Sequence, residues 1–181
     1  MNYFTSDWHL GEDRIGINGK PNLFYRPFTS IDHQNDTILI NGFEDSGFTN
    51  GDTLWHLGDV LVDSSYMRDL REFKDCHPDS RFLLVEGNYD TDKMDQLLEV
   101  FELAPREVEI KGRKYFLDHY PANCVDKEFS LTGHIHGLWK VQKNMINVGV
   151  DAWHFRPVSE DEIDFCRTAC EKYYDKNVFP Y

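Results

Sequence analysis

The stretch LTGHIHGLW, residues 131–139, places His134 and His136 two positions apart between Gly133 and Gly137. If a strand continues through this stretch, both imidazoles lie on one face, because strand side chains alternate with a period of two. The glycines allow the backbone to come close to whatever lies beside them. Histidine is the commonest metal ligand, so the pair indicates a metal site if other segments supply partners.

Polar residues also follow four other predicted strands, at the point where each strand ends. Asp7 and His9 lie in TSDWHLG, Asp59 in HLGDV, Asn88 in EGNYD and His119 in LDHYP. Taken singly, each is typical of a turn residue or a surface histidine. Ligands of open α/β sheets bind beyond the carboxyl ends of the strands, so these strand ends could meet at one edge. We interpret the set as one site, because unrelated turns are a poor explanation for polar groups restricted to Asp, Asn and His.

Strand-like and helix-like segments alternate along the chain. Strands are predicted over residues 2–6, 53–57, 81–86, 129–132 and 145–150, with a hairpin over 106–119 that turns at Lys111 and Gly112. Helices are predicted from about residue 30, over 64–76, over 92–101 and over about 159–175, the last opening with the capping-box pair Ser159 and Glu162. No repeat or linker divides the chain, so we predict one layered α/β domain over residues 1–181.

The formal net charge is −13, from 32 acidic and 19 basic residues. This balance disfavours long duplex nucleic acid, which is bound through many Lys and Arg contacts, but allows a small anionic substrate where local cations dominate. No apolar stretch of about 18 residues occurs, so neither a transmembrane helix nor a membrane partner is expected. The four cysteines lack zinc-finger spacing, and Cys166 and Cys170 fit an apolar helix stripe. We therefore expect reduced thiols and a cytoplasmic protein.

In chain order, the motifs D-x-H, GD, GN, H and GHxH, from Asp7 to His136, resemble the signature of the calcineurin-like metallophosphoesterases. The tail NVGVDAWHFRPVS, residues 147–159, is similar to the end of a small bacterial and phage branch of that superfamily. The resemblance implies a four-layer α/β/β/α sandwich with two divalent metal ions at one rim.

The resemblance also implies a ligand set. Asp7, His9 and His136 would hold the first metal, Asn88, His119 and His134 the second, and Asp59 would bridge the two. Imidazole and carboxylate ligands together suit Mn²⁺, our first expectation, and also Fe, Zn²⁺ or Ni²⁺, and suit Mg²⁺ or Ca²⁺ less well. Two divalent ions against two carboxylates leave about two positive charges at the site, which favours a phosphate ester.

The implied activity is a phosphodiesterase, more than a monoesterase, that acts on small or cyclic phosphodiester or nucleotide substrates through a metal-bridging hydroxide. Two alternatives stay open. One is a binding or scaffold protein that keeps the fold with weakened chemistry, and the other is a nuclease acting on short single-stranded ends. The pattern favours no oligomeric state.

One position departs from the resemblance. The usual third motif is GNH, whose histidine assists the leaving group, whereas EGNYD has Tyr89 there. A tyrosine hydroxyl stays protonated at neutral pH and is a poorer acid than an imidazolium. We therefore predict a hydrolase that prefers good leaving groups, with Tyr89, Asn88 and His119 as catalytic candidates. The alternative for Tyr89 is a ring that packs against the rim with its hydroxyl in solvent.

Other residues are candidates for supporting roles around this site. His56 and His154 could replace the missing acid, and Asp90 could orient the free N–H of a ligand histidine. Asp151 could also reach the rim. Arg26 and Arg156 are the candidates for a phosphate clamp, since guanidinium binds phosphate in a bidentate fashion. The aromatic side chains that could form a base-stacking pocket are Phe24, Tyr25, Trp139 and Trp153.

Overall fold

Ten strands form two five-stranded mixed sheets in the computed structural model, which describes residues 1–173. The strands are β1 (Asn2–Thr5), β2 (Thr53–His56), β3 (Arg81–Leu84), β4 (Glu102–Leu103), β5 (Glu107–Ile110), β6 (Arg113–Leu117), β7 (Ser130–Thr132), β8 (Val141–Gln142), β9 (Met145–Asn147) and β10 (Val158–Ser159). The first sheet has the order β10-β1-β2-β3-β4, and the second has the order β5-β6-β7-β9-β8.

Strand direction is what gathers the polar strand ends at one edge. β1 to β4 run parallel, and only β10 is antiparallel to its neighbour β1. In the second sheet β6, β7 and β9 run parallel, with β5 and β8 antiparallel at the two outer positions. The carboxyl ends of parallel strands lie at the same edge of a sheet, so each sheet presents several such ends together.

Five helices lie within residues 1–173, and only the last is longer than nine residues. They are α1 (Ile31–Asp36), which continues through π-helical turns (Thr37–Asn41) into α2 (Gly42–Ser46), α3 (Met67–Asp75), which follows a 3₁₀ turn (Ser64–Tyr66), α4 (Met94–Leu97) and α5 (Glu160–Tyr173). Ser30 begins α1 as its N-cap, accepting a hydrogen bond from the His33 backbone N–H at 3.0 Å. Within residues 1–173, no helix has the length and apolar character to cross a membrane.

Two hydrophobic cores lie on opposite faces of the first sheet. Leu54 and Trp55 are neighbours on β2 and point to opposite faces, so each joins a different core. The Leu54 core includes Ile38 and Leu70, which place the α1–α2 segment and α3 on that face. The Trp55 core lies between the two sheets, and its other members include Leu117, Leu131, Ile146 and, from α5, Ile163.

The mixed α/β architecture predicted from the sequence is confirmed, with differences in detail. The hairpin turns at Lys111 and Gly112, both with positive φ, as a two-residue hairpin turn requires. The Ser159–Glu162 capping box is present: Ser159 N donates to Glu162 Oε2 at 3.0 Å, and Glu162 N donates to Ser159 Oγ at 3.3 Å. The helix predicted over 92–101 is wrong in extent, since only Met94–Leu97 is helical. Residues 174–175 of the predicted final helix lie outside the described residues.

We expect Leu131→Ala to lower the free energy of unfolding by about 2–5 kcal/mol, because it opens a cavity in the core between the sheets. Leu131 is fully buried on β7, whereas Leu138, seven positions later, is 82% exposed. Leu138→Ala is the matched control and should change stability by no more than about 0.5 kcal/mol. Urea denaturation of both variants tests this. Equal effects for the two leucines would contradict the assignment of Leu131 to the core.

Candidate metal centre

The polar strand ends predicted from the sequence meet at one edge of the structure. Two groups of side chains offer ligand atoms that all lie within 4.8 Å of one another inside each group. The first group is Asp7, His9 and His136, and the second is Asp59, His119 and His134. The strand before this pair ends at Thr132, as the predicted strand over 129–132 does, so it does not continue through His134 and His136. The two histidines nevertheless enter different groups, as the family resemblance implies.

Asp59 joins the two groups. Its Oδ2 lies 3.4 Å from His9 Nε2 in the first group and 3.3 Å from His119 Nε2 in the second. Its Oδ1 accepts a hydrogen bond from the Tyr89 backbone N–H at 2.9 Å, which fixes the orientation of the carboxylate. A carboxylate held between one histidine of each group is placed as a bridging ligand would be.

Asn88 completes the second group. Its side-chain Oδ1 lies 3.1 Å from both His119 Nε2 and His134 Nδ1. An amide oxygen adds a neutral ligand to the imidazoles and the carboxylate. All seven residues that the sequence predicts as ligands are therefore brought together at this edge.

Five of these seven residues have a left-handed backbone conformation, which is uncommon for residues other than glycine. The φ values are 59° for Asp7, 49° for His9, 62° for Asp59, 72° for His134 and 51° for His136. Such conformations cost about 1–3 kcal/mol each and persist where the surroundings fix them, often at functional sites. A close approach adds to the constraint, since a Cβ at Gly133 would lie 1.9 Å from Ser6 Oγ and 2.9 Å from Asp7 Oδ2.

His9 supplies the test of whether this set fits a metal. The side chain is only 1% exposed, and neither ring nitrogen has a hydrogen-bond partner among the described residues. Burial, followed by the nearby positive charge of Arg26, lowers the pKa of His9 well below its usual value and keeps the imidazole neutral. A buried, neutral imidazole without partners is costly unless an ion engages it, so the donor set fits a metal ion.

Hydrogen bonds orient the other ligands. Asp7 accepts from Ser6 Oγ at 2.8 Å and from the His134 backbone N–H, which lies 3.0 Å from both carboxylate oxygens. His119 Nδ1 donates to Leu57 O at 2.7 Å, which leaves Nε2 directed at Asp59. Burial alone would lower the pKa of His119, but the carboxylates of Asp59 and Asp7 raise it to about 9. Metal ligation at this imidazole therefore displaces a proton.

Asp151 contacts Nδ1 of His136, and Arg26 holds Asp151 in place. His136 Nδ1 lies 2.7 Å from Asp151 Oδ2, and the Arg26 guanidinium donates to the same carboxylate from Nε at 2.8 Å and Nη2 at 2.9 Å. Arg26 lowers the pKa of Asp151 to about 2 against the effect of burial, so the carboxylate stays charged. A carboxylate on the second nitrogen of a ligand histidine fixes the tautomer and the ring orientation.

The phosphate clamp predicted from Arg26 and Arg156 is wrong. Arg26 is 1% exposed, and all five of its N–H donors are used, by Asp151, Asp7 O, Trp8 O and Gln34 Oε1. Arg156 forms a two-point ion pair with Glu162 at 2.5 and 3.0 Å, beside the start of α5. Neither guanidinium has a free face directed at the metal centre.

Asp90 also has a different role from the one predicted. It accepts hydrogen bonds from three backbone N–H groups, those of Asp59 at 2.8 Å, Val60 at 2.9 Å and Gly87 at 2.9 Å. It therefore holds the loops after β2 and β3 together and does not orient a histidine ring. Burial raises the pKa of this carboxyl, and the three N–H donors oppose that shift.

The histidines considered as replacement acids do not reach the site. His56 is fully buried, and its ring lies edge-on to Trp8 with the centroids 4.5 Å apart. Its Nδ1 accepts from Gly58 N at 3.2 Å, so it belongs to the core. His154 is exposed on the loop before Phe155, which packs against Phe28 at 4.7 Å. Among the described contacts, none joins His154 to the metal centre.

Tyr89 lies at the wall of the site. Its ring is 4.7 Å from the His9 ring, and its hydroxyl accepts a hydrogen bond from Arg14 Nη2 at 3.2 Å. Sequence reasoning missed Arg14, which has no motif to mark it. Phe24, predicted for a stacking pocket, stacks on His136 with centroids 3.8 Å apart. Tyr25 is 90% exposed, and Trp153 packs in the core between the sheets.

Comparison with solved structures finds similar folds in three chains, two of which are described here. The protein of unknown function AQ665 from Aquifex aeolicus aligns with a TM-score of 0.69 at 28% sequence identity, over 91% of this chain and 98% of that chain. The Pseudomonas putida nuclease MPE aligns with a TM-score of 0.50 at 15% identity, over 75% of this chain and 60% of that chain. No protein-family model and no curated protein sequence matches the chain. The second likeness shows a shared fold alone.

We expect Asp151→Asn to weaken metal binding at the first group by about 10–100-fold, because His136 loses the carboxylate that orients it. The control is Asp161→Asn, an exposed aspartate on α5 that is paired with Lys111 at 2.6 Å. Equilibrium dialysis against limiting Mn²⁺, read by elemental analysis, gives the number of ions per chain. Unchanged metal binding by Asp151→Asn would contradict this role.

Proposed function

We propose that the protein is a two-metal phosphoesterase, and specifically a phosphodiesterase for small or cyclic phosphodiester or nucleotide substrates. The observation that carries the proposal is the position of Asp59, 3.4 Å from a histidine of one group and 3.3 Å from a histidine of the other. Two three-residue groups that share a carboxylate form one dinuclear pocket. Mn²⁺ is the ion we propose first, with Fe, Zn²⁺ or Ni²⁺ as alternatives.

When bound, two divalent ions would make a shared water acidic enough to act as a nucleophile and would hold the phosphoryl oxygens for in-line attack. The residues of the chain act as ligands and orient one another. His119 and His134 are ligands in this proposal and not bases, since the Nδ1 of His119 is committed to Leu57 O. Asn88 contributes its amide oxygen.

Charge supports a phosphate ester as the substrate. Asp7 and Asp59 are the carboxylates in the two groups, so two divalent ions leave the site with about two positive charges. The chain as a whole has a net charge of −13, which disfavours binding of long duplex nucleic acid. A small anion is favoured instead, because it is exposed mainly to the positive charge at the site. The half-buried Phe24, stacked on His136, offers an apolar wall for the organic part of such an ester.

Membership of the calcineurin-like metallophosphoesterases, with their four-layer sandwich, is part of this proposal. It is supported by the ordered motifs from Asp7 to His136 and by the convergence of all seven motif residues at one edge. A cytoplasmic location, with no membrane partner, is proposed with it.

A nuclease is the second candidate, and the shared fold with a protein named as a nuclease favours it. The acidic chain restricts this candidate to short or single-stranded ends. Release of nucleotides from a labelled single-stranded oligonucleotide, compared with turnover of a small diester under the same conditions, separates the two.

The central test is hydrolysis of bis-p-nitrophenyl phosphate and p-nitrophenyl phosphate by metal-stripped protein with Mn²⁺, Ni²⁺, Zn²⁺ or Mg²⁺ added back. We expect metal-dependent turnover that is faster on the diester. Asn88→Ala should reduce kcat by at least about 100-fold, since it removes a ligand whose oxygen lies 3.1 Å from two others. Asn50→Ala, an exposed asparagine before β2 at the opposite edge, is the control. Metal binding without turnover of either ester would favour the scaffold alternative.

The tyrosine at position 89 leads to a separate prediction. We expect kcat for a series of methyl aryl phosphates to rise steeply with the acidity of the leaving phenol, because a tyrosine hydroxyl is a weak general acid. Tyr89→His should flatten this dependence, and Tyr89→Phe should keep it steep. A shallow dependence in the unmodified protein would show that a strong acid is present and would overturn this interpretation.

A further inference from the structure

The substrate, we infer, carries a second anionic group beside the phosphate that is cleaved, and Arg14 together with Tyr89 binds that second group. This inference rests on the proposed function and specifies its substrate class. It assigns to Arg14 the anion-binding role that Arg26 and Arg156 cannot fill.

Glu12 fixes Arg14 in place. The Glu12 carboxylate is fully buried and accepts from Arg14 Nε at 2.7 Å, from Nη2 at 2.5 Å and from the Arg14 backbone N–H at 2.8 Å. A buried carboxylate needs such a partner, so the guanidinium is held in one orientation. An arginine that is already ordered loses less entropy when it binds an anion.

The donors that remain point to a ligand. Nε and Nη2 of Arg14 supply three N–H groups to Glu12 and Tyr89, while the two on Nη1 have no partner within residues 1–173. The Arg14 side chain is 34% exposed, so Nη1 belongs to the part of the guanidinium that solutes can reach. Because the Tyr89 hydroxyl accepts from Arg14, its own proton is free to be donated, and none of the described contacts uses it. Two N–H groups and one O–H group form a small anion-binding set.

This set adjoins the metal centre. The Tyr89 ring lies 4.7 Å from the ring of His9, and the Tyr89 backbone N–H holds Asp59 at 2.9 Å. The guanidinium contacts the hydroxyl, which lies at the opposite end of the Tyr89 side chain from the backbone N–H that holds Asp59. We therefore place Nη1 beside the position of the cleaved phosphate and not at it. A neighbouring phosphate or carboxylate of the same substrate would lie beside it.

Other cations near the centre are already committed. Arg26 uses all of its donors, and Arg156 is paired with Glu162. Lys93 donates to Tyr89 O at 3.0 Å and to Asp92 at 2.7 Å, and its side chain is only 11% exposed. Arg14 is thus the cation at this wall that keeps two free N–H donors on one nitrogen among the residues described, whereas Lys93 keeps one on a largely buried ammonium.

The experiment compares two substrates that share a leaving group and differ by one phosphate. They are the p-nitrophenyl ester of thymidine 5′-phosphate and the same ester carrying a further phosphate on the 3′ oxygen. With Mn²⁺ bound, we expect KM to be about 10–100-fold lower for the substrate with two phosphates, as one charge-assisted contact allows. Arg14→Ala should bring the ratio of the two KM values to about one.

Arg14→Lys tests whether the loss in Arg14→Ala comes only from leaving the buried Glu12 carboxylate without a cation. A lysine keeps the positive charge beside Glu12 but lacks the two N–H groups that Nη1 offers to an anion. It should also lose most of the preference. Arg68→Ala, which removes an arginine that is 79% exposed on α3, is the control and should leave both KM values unchanged. Metal content is measured for every variant, and a variant that has lost metal is replaced by Arg14→Gln.

The outcomes separate this inference from the proposed function. If the unmodified protein cleaves both esters with equal KM, the second anionic group is ruled out while the phosphodiesterase stands. If Arg14→Ala or Arg14→Lys keeps the full preference, the assignment of that group to the Arg14 guanidinium is ruled out. If no ion supports cleavage of either ester, the proposed function fails with it. A preference that is lost with Arg14 and kept with Arg68→Ala establishes the inference.

Discussion

The buried guanidinium of Arg26 is the interaction on which the arrangement of the site depends. It binds the backbone carbonyls of Asp7 and Trp8, which follow β1 of the first sheet, and the carboxylate of Asp151, which follows β9 of the second. One cation therefore joins the two sheets at the edge where the ligands lie. Because Asp151 also contacts His136, the same cation fixes a ligand from each sheet. Loss of one partner would leave an uncompensated buried charge, which is strongly destabilising.

The left-handed backbone at five ligand positions is a second constraint. A strand that ran on past its end would carry successive side chains to alternate faces and away from one another. The five left-handed residues instead lie two to four positions after the end of a strand, where the chain turns away from the strand direction. The cost of about 1–3 kcal/mol at each position must be offset by contacts such as the bond from His134 N to Asp7. The backbone conformation of the polar cluster therefore lowers the free energy of unfolding.

Residue type and local pattern were enough to predict the ligand cluster and most elements of the two sheets. The hairpin turn at Lys111 and Gly112 and the capping box of α5 are local, so they could be read directly. β4, β8 and β10 were missed because each has two residues and shows no alternation. The observed helix within the predicted range 92–101 has only four residues, since an apolar pattern does not determine where a helix ends.

The roles of charged residues were predicted less well, because their partners are distant in sequence. Arg26 lies 125 positions from Asp151, and Arg14 lies 75 positions from Tyr89. An arginine in a loop has the chemistry of a phosphate clamp, but only the tertiary structure decides whether its donors are already used. The same holds for Asp90, whose three backbone partners come from two loops.

Position 89 shows how the site can differ from the signature it resembles and still keep the seven candidate ligands together. The backbone N–H of Tyr89 holds the Asp59 carboxylate, a role that any residue except proline could fill. The side chain of Tyr89 contacts His9 and Arg14 instead. Because ligand positioning and side-chain chemistry are separated at this residue, the acid can change while Asp59 stays fixed. In the inference made above, a tyrosine that accepts from an arginine adds anion recognition at the wall where the resemblance places a histidine. Under that inference the departure means a different substrate more than lost function.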